Sequence, residues 1–336
     1  MKILITGASG YVGNNLAHTL AKMGNEVHAL IRLDVAKELL QHSNIRIMKG
    51  DILDKESLSA AMKGCRQVYH VAAKVGAWSS NPSDFYKVNV EGTLNVLEAA
   101  RQAGVEKLVY TSSCGVLGPS VNEPVNEKHI RVTRFGIDYD LSKKMGEDAV
   151  MQFDKKGMQA VIVYPSKIYG PGNISHSITA NAVIDKFLKK GIAFIPSPGT
   201  FKVCFAFMEN VIKGHILAMQ KGENGEKYIL GGNNISYLNF FQRIRTIANS
   251  KGKILPVSNK LIKTWAGLQL LNYRITGHPP AFTPQSVNYI FSDYMFSSEK
   301  AIQELGYSIT PLDEAIEKTI HFLQQPTTTK KKLFFK

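Results

Sequence analysis

In the first half of the chain, short apolar runs alternate with stretches whose apolar residues recur every three or four positions. The runs Ile3–Thr6, Val27–Ile31, Ile45–Met48, Gln67–Val71, Leu108–Thr111 and Ala160–Tyr164 read as strands. Apolar residues at successive positions are the pattern of parallel strands covered on both faces. Between the first two, Val12, Leu16, Leu20 and Met23 put an apolar stripe on a helix from Tyr11 to Met23. Val88, Val90, Leu94, Leu97 and Ala100 do the same from Asp84 to Ala103, because helical spacing returns side chains to one face every three or four residues. Alternation of this kind predicts an α/β chain whose six strands form a doubly wound parallel sheet with right-handed crossovers.

Gly7, Gly10 and Gly13 fall between the first strand and the first helix. A helix N-terminus carries N–H groups without intrahelical partners, and its dipole favours negative charge there. Glycines let a pyrophosphate approach the backbone at that junction, so Gly7, Gly10, Tyr11, Val12 and Gly13 are candidate dinucleotide contacts on a Rossmann-type sheet. The second strand ends in Ala-Leu-Ile-Arg, where such sites usually carry an acid for the adenosine ribose. A guanidinium at Arg32 pairs with a 2′-phosphate instead, which favours NADP(H); Asp34, two residues on, keeps NAD(H) open.

The chain's 336 residues suffice for a large core and a smaller second lobe, and 44% hydrophobic with 20% charged residues is an ordinary globular balance. A formal charge of +14 admits nucleic acid, an acidic membrane or a phosphorylated cofactor as anionic partner. The lysines are scattered, however, and Lys330, Lys331, Lys332 and Lys336 sit in a basic tail, 326–336, that reads as a frayed terminus, so nucleic acid is set aside. Cys65, Cys114 and Cys204 lie far apart, which points to neither a metal site nor a disulfide framework. With no apolar run of about 18 residues, and the first strand starting at once, a cytoplasmic protein is expected.

Leu108–Ser113 reads Leu-Val-Tyr-Thr-Ser-Ser, so hydroxyls gather at the carboxyl end of a strand, where open α/β sheets bind ligands. Tyr139 and Lys143 follow at i,i+4 on a helix running from Tyr139 to Lys155, which sets a phenol and an ammonium on one face. A phenol near pKa 10 is a poor base at neutral pH, but a neighbouring cation favours the phenolate. Tyr139 is therefore the candidate to exchange a proton with a substrate hydroxyl or carbonyl oxygen while hydride moves to or from a nicotinamide. His70 belongs to the fourth strand's pattern and reads as a packing residue.

The spacing Gly-x-x-Gly-x-x-Gly, the Tyr-x-x-x-Lys pair and Tyr164-Pro165-Ser166-Lys167-Ile168-Tyr169-Gly170-Pro171 together resemble the extended short-chain dehydrogenases/reductases, the NAD(P)-dependent epimerase/dehydratase family. Gly225–Gly232 and Phe296–Tyr307 resemble its branch of dihydroflavonol reductase-like and 3β-hydroxysteroid dehydrogenase-like proteins. The resemblance implies that Asp51 and the Ile52 amide read the adenine, and that Ala72, Ala73, Lys74 and Asn89 sit beside the cofactor. Thr111, Pro165, Ser166 and Ile168 complete the implied cofactor site. Aligned with the family's Ser-x-x-Val-Tyr-Gly, Ser113 is the catalytic serine, with Ser112 the fallback, and Lys143 also holds the nicotinamide ribose. The chain departs from the pattern where Tyr164 replaces a polar residue, Phe207 a histidine and Glu209-Asn210 an acidic pair.

By the same resemblance, residues 1–170 and about 203–231 form the NADP-binding domain, and 171–202 with about 232–325 form the substrate lobe. Trp78, Phe85, Ile174, Phe201 and Phe205 are the expected pocket lining. They favour a hydrophobic ketone or aldehyde over a diphosphosugar, for whose pyrophosphate Val203 offers no cation. The expected reaction is carbonyl–alcohol interconversion; a nucleotide-sugar epimerase or dehydratase that retains its NAD(P), and a non-catalytic nucleotide-binding regulator, are the alternatives. A homodimer through the helices Asp84–Ala103 and Tyr139–Lys155 is expected by analogy. Leu261 to Ile275 form an amphipathic helix whose first reading is closure over the substrate lobe and whose lesser reading is contact with a bilayer.

Overall fold

The computed structural model describes residues 1–32, 38–154, 157–172 and 180–325; Asp34, Lys155, Ile174 and the basic tail lie outside them. Six strands form where the apolar runs predict them: β1 (Lys2–Thr6), β2 (Glu26–Ile31), β3 (Ile45–Lys49), β4 (Gln67–His70), β5 (Lys107–Thr111) and β6 (Gln159–Pro165). After them come β7 (Lys167–Tyr169), β8 (Ile192–Pro196), β9 (Lys202–Phe207), β10 (Lys227–Leu230), β11 (Asn233–Ser236) and β12 (Lys253–Val257). The helices of the first half are α1 (Tyr11–Lys22), α2 (Lys55–Met62), α3 (Ser83–Tyr86), α4 (Gly92–Gln102) and α5 (Asp138–Gln152). Those of the second are α6 (Ala180–Lys190), α7 (Met208–Lys221), α8 (Tyr237–Ile247), α9 (Asn259–Thr276), α10 (Pro284–Ile290) and α11 (Leu312–Gln324).

The main sheet runs β3-β2-β1-β4-β5-β6-β10 with every pair parallel. Strand order reverses between β1 and β4, which opens a crevice beyond the strands' carboxyl ends. The seventh strand, β10, exceeds the six-strand expectation: it is short and joins by pairing with β6, from Lys227 opposite Ile162 to Leu230 opposite Pro165. Side-chain alternation divides the sheet between two cores. Ile3, Ile5, Val109, Val161 and Val163 face a core shared with α1 and α7, whereas Leu4, Leu108, Tyr110, Ile162 and Tyr164 face one shared with α2, α4 and α5.

The helix expected over Asp84–Ala103 consists of α3, a π turn at Lys87–Glu91, and α4. Such a widened turn re-aims side chains, and here it carries the buried Asn89. On α5, a Cβ at Gly146 would collide with the Asn89 carbonyl and the Tyr110 hydroxyl, so the glycine sets how closely α5 rides over that turn.

In the second half β9 pairs antiparallel with β11 and parallel with β7, while β8 pairs with β12. The core there is aromatic: Phe205 stacks on Phe240 at 3.9 Å and meets Tyr169 and Tyr237 edge-on. This corrects the expectation that Phe205 lines a pocket, because β9 beyond Lys202 is covered on both faces and its aromatics have no open side. Phe85, at 1% exposed, is likewise packed inside and not presented to a crevice.

His70 lies between the Thr6 and Thr93 hydroxyls at 2.7 and 3.0 Å, and His215 between the Thr111 hydroxyl and the Val211 carbonyl at 3.0 and 2.8 Å. Burial pushes their pKa values down to about 3, where Lys143 adds to the effect, and about 4. Both imidazoles stay neutral in the folded chain at pH values where the unfolded chain takes up protons, so the stability they contribute above pH 6.5 is lost on acidification. Compared by urea denaturation at pH 7.5 and pH 5, the change in stability of His215→Gln should differ from that of the unchanged protein by about 2 kcal/mol, the variant losing less on acidification.

Candidate active site

Between β1 and α1 the chain turns at Gly7, whose φ of 71° lies in the left-handed region that favours glycine. A Cβ on Gly7 would come within 2.7 Å of the Ala72 backbone, and one on Gly13 would strike the Gly7 carbonyl. Gly10 donates its N–H to that carbonyl at 2.9 Å and stands at the N-cap of α1, where among the described residues no side chain caps the helix. A glycine-walled cradle under uncapped helix N–H groups fits the pyrophosphate of a dinucleotide. Tyr11 turns its side chain away: its hydroxyl donates to the Gly170 carbonyl at 2.6 Å and accepts from Asn181 at 2.9 Å, leaving its backbone at the turn. Val12 packs against the α1–α7 core.

At the far end of β2, the Arg32 guanidinium stands 3.9 Å from the Asp51 carboxylate, which also accepts the Leu53 N–H at 2.9 Å. With side chains 71% and 36% exposed, this pair is weakly held and leaves the guanidinium open to an incoming phosphate. Ile52 packs against Gly92, and its carbonyl accepts from Asn95 at 3.1 Å.

Asn89 joins the corner after β4 to α5. Its amide oxygen accepts the Lys74 N–H at 2.8 Å, while its nitrogen donates to the Lys74 carbonyl at 3.1 Å and to the Ser142 hydroxyl at 2.8 Å. The Ala72 N–H donates to the Thr6 hydroxyl at 3.2 Å, and Ala73 is half-buried between these two tethers.

Three hydroxyls leave β5, and each has a different fate. Thr111 meets His215, Ser112 donates to Glu147 at 3.3 Å, and the Ser113 hydroxyl accepts the Gly115 N–H at 3.1 Å and lies near the Tyr139 phenol. Burial, and after it the Asp140 carboxylate, hold the Tyr139 hydroxyl well above the usual phenol range, with Ser113 pulling the other way. Lys143 is only 2% exposed, its Nζ 4.1 Å from the centre of the Tyr110 ring. Burial lowers its pKa to about 7, against the charge of Glu147. Pro165 closes β6 in the interior, the Ser166 N–H donates to the Leu230 carbonyl at 3.4 Å, and Ile168 packs against the α1–α7 core. Trp78 and Phe201 stay half-buried, meeting Tyr273 and Phe291 edge-on at 4.6 and 5.8 Å.

Two acids next to this constellation escaped the sequence reading. Glu147, 1% exposed, accepts from Tyr164 at 2.8 Å and Lys227 at 2.7 Å in addition to Ser112. The phenol at position 164 is therefore a donor to a buried carboxylate. Glu147 lies one turn beyond Lys143 on the same helix face, a spacing that would have flagged it; Lys227, brought in by β10, has no such local signal. Asp140 presses on Gly115, where a Cβ would collide with it, and burial raises its pKa to about 7 against the charge of Arg131. Arg131 in turn donates to the Gly115 carbonyl at 2.6 Å.

Residues 3–231 match the profile of the NAD dependent epimerase/dehydratase family. A Synechocystis sp. protein provisionally named dihydroflavonol 4-reductase is 30% identical over 333 residues, 95% of this chain and 94% of its own. A 3-beta-hydroxysteroid dehydrogenase of Mycolicibacterium neoaurum is 30% identical over 91% of this chain and 86% of its own. The crystal structure of gox2253 superposes with a TM-score of 0.79 at 31% identity, covering 96% of this chain and 97% of that one.

Glu147→Gln should cost about 1–3 kcal/mol of stability, since the amide strips Lys227 and Tyr164 of a charged acceptor. The same change should move the Lys143 titration, followed by lysine side-chain NMR, to lower pH; an unmoved midpoint would show the two charges to be uncoupled.

Proposed function

The chain belongs to the NAD dependent epimerase/dehydratase family and is a nicotinamide-dependent oxidoreductase with a small-molecule substrate; on that premise we propose that it interconverts an apolar ketone or aldehyde and its alcohol, with NADP(H) preferred to NAD(H). The observation that carries this reading is the placing of Tyr139, a half-buried phenol that stays protonated across neutral pH and lies one helical turn from the buried Lys143. A phenol so held is a proton donor, the role that carbonyl reduction requires.

When bound, the nicotinamide supplies or takes up the hydride. The N–H groups at the start of α1 bind the pyrophosphate, and Arg32 takes the 2′-phosphate. Ser113 and Tyr139 hold the substrate oxygen, and Tyr139 passes it a proton as the carbonyl is reduced or recovers one as the alcohol is oxidised. In its charged form Lys143 lowers the cost of the phenolate left behind. Asn89, through Ser142, keeps the helix carrying both groups in register with the cofactor corner.

Support for an apolar substrate comes from the half-buried rings of Trp78 and Phe201, and from Val203, which is buried at the position where a cation would serve a diphosphosugar. A relative named as a 3-beta-hydroxysteroid dehydrogenase agrees with that class. A homodimer accompanies the reading: a groove along α4 and α5 is lined by Val90, Leu94, Met145 and Phe153, with Leu94 and Met145 exposed.

Purified protein is expected to consume NADPH with a panel of apolar cyclic ketones; cofactor released only on denaturation, with no net NADPH consumption, would favour the cofactor-retaining epimerase or dehydratase. Tyr139→Phe should keep cofactor affinity and lower turnover at least about a hundredfold. Arg32→Asp should shift the kcat/KM preference from NADPH toward NADH, and unchanged selectivity would refute the role given to the guanidinium.

A further inference from the structure

Helix α9 is built the wrong way round for a helix that belongs wholly to the substrate lobe. Among the described residues Ala266 is its one buried residue, whereas Leu261, Trp265, Leu268, Leu271 and Ile275 are between 50% and 77% exposed. Their spacing of three or four residues gathers them into one stripe facing outward. An apolar stripe of this length on a surface marks a partner. Lys260, Lys263 and Arg274 recur at spacings that put all three on one flank of the stripe, and the helix contains no acidic residue. That flank is complementary to a negatively charged surface, and the chain as a whole carries a formal charge of +14. A second copy of the same helix would bring these cations against their own kind.

We propose that the outward face of α9 docks on an anionic lipid bilayer, lying in the interface with its apolar stripe in the acyl boundary and its basic flank among the headgroups. Trp265 on the stripe suits that boundary, where an indole keeps its ring in an apolar layer and its N–H in a wet one. The opposite side of the helix meets the substrate region, since Tyr273 stands edge-on to Trp78. An apolar substrate dissolved in the bilayer would thus enter along α9; this second step rests on the function proposed above, while the docking does not.

Flotation with phosphatidylcholine vesicles containing phosphatidylglycerol, and with phosphatidylcholine alone, tests it. The protein should float with the anionic vesicles, release at high salt, and remain largely soluble with the neutral ones. Lys260→Gln and Arg274→Gln should each weaken partitioning about fivefold. Leu268→Glu with Leu271→Glu should abolish it while circular dichroism stays unchanged, these side chains being exposed already. In a Trp78→Phe background Trp265 is the single tryptophan, and its emission should shift to the blue on anionic vesicles. Protein that stays soluble with both vesicles overturns the docking, as does flotation unaffected by the glutamates. A dimer in sedimentation that the glutamates dissociate, without flotation, would assign the face to a second copy instead. Protein that floats but reduces no carbonyl compound would leave the docking standing and sink the substrate reading.

Discussion

The site depends on one side-chain amide. Asn89 bonds both backbone groups of Lys74 and the hydroxyl of Ser142, so the corner after β4 and the helix with Tyr139 and Lys143 are held by a single planar group. Because that group is buried, each of its bonds would be costly to leave unmade, which gives the link its rigidity. Two backbone features make the bridge reachable: the π turn that carries Asn89 inward, and Gly146, without which α5 would have to stand further off.

Along α5 the electrostatics follow from depth. Tyr139, Lys143 and Glu147 line one face over two turns, and burial pushes the phenol toward its protonated form and the ammonium toward its neutral one. Glu147 opposes the second shift, and its own charge is met by Lys227, Tyr164 and Ser112. Helix α5 is thereby tied electrostatically to β10, the strand that completes the sheet.

The second half of the chain divides its aromatic residues between two tasks. Phe205, Tyr169, Tyr237 and Phe240 lock into one another as a core, which is why the sheet of β7, β9 and β11 can stand apart from the parallel sheet. Trp78 and Phe201 remain half-buried beside Tyr273 and Phe291. An apolar ring count alone does not separate these tasks, since the same residue types serve both.

By itself the sequence determined whatever depends on near neighbours: six strands within a residue or so, the glycine turn with its helix, and the phenol and ammonium one turn apart. Those signals are local because strand and helix periods are set by backbone geometry. Tertiary structure alone decided that Ser112 and Tyr164 both answer to Glu147, that Phe205 is core, and that α9 turns its apolar stripe outward. Each of these rests on a partner far along the chain, such as Lys227 for Glu147 or Phe240 for Phe205, and periodicity carries no information about which distant surface a face will meet.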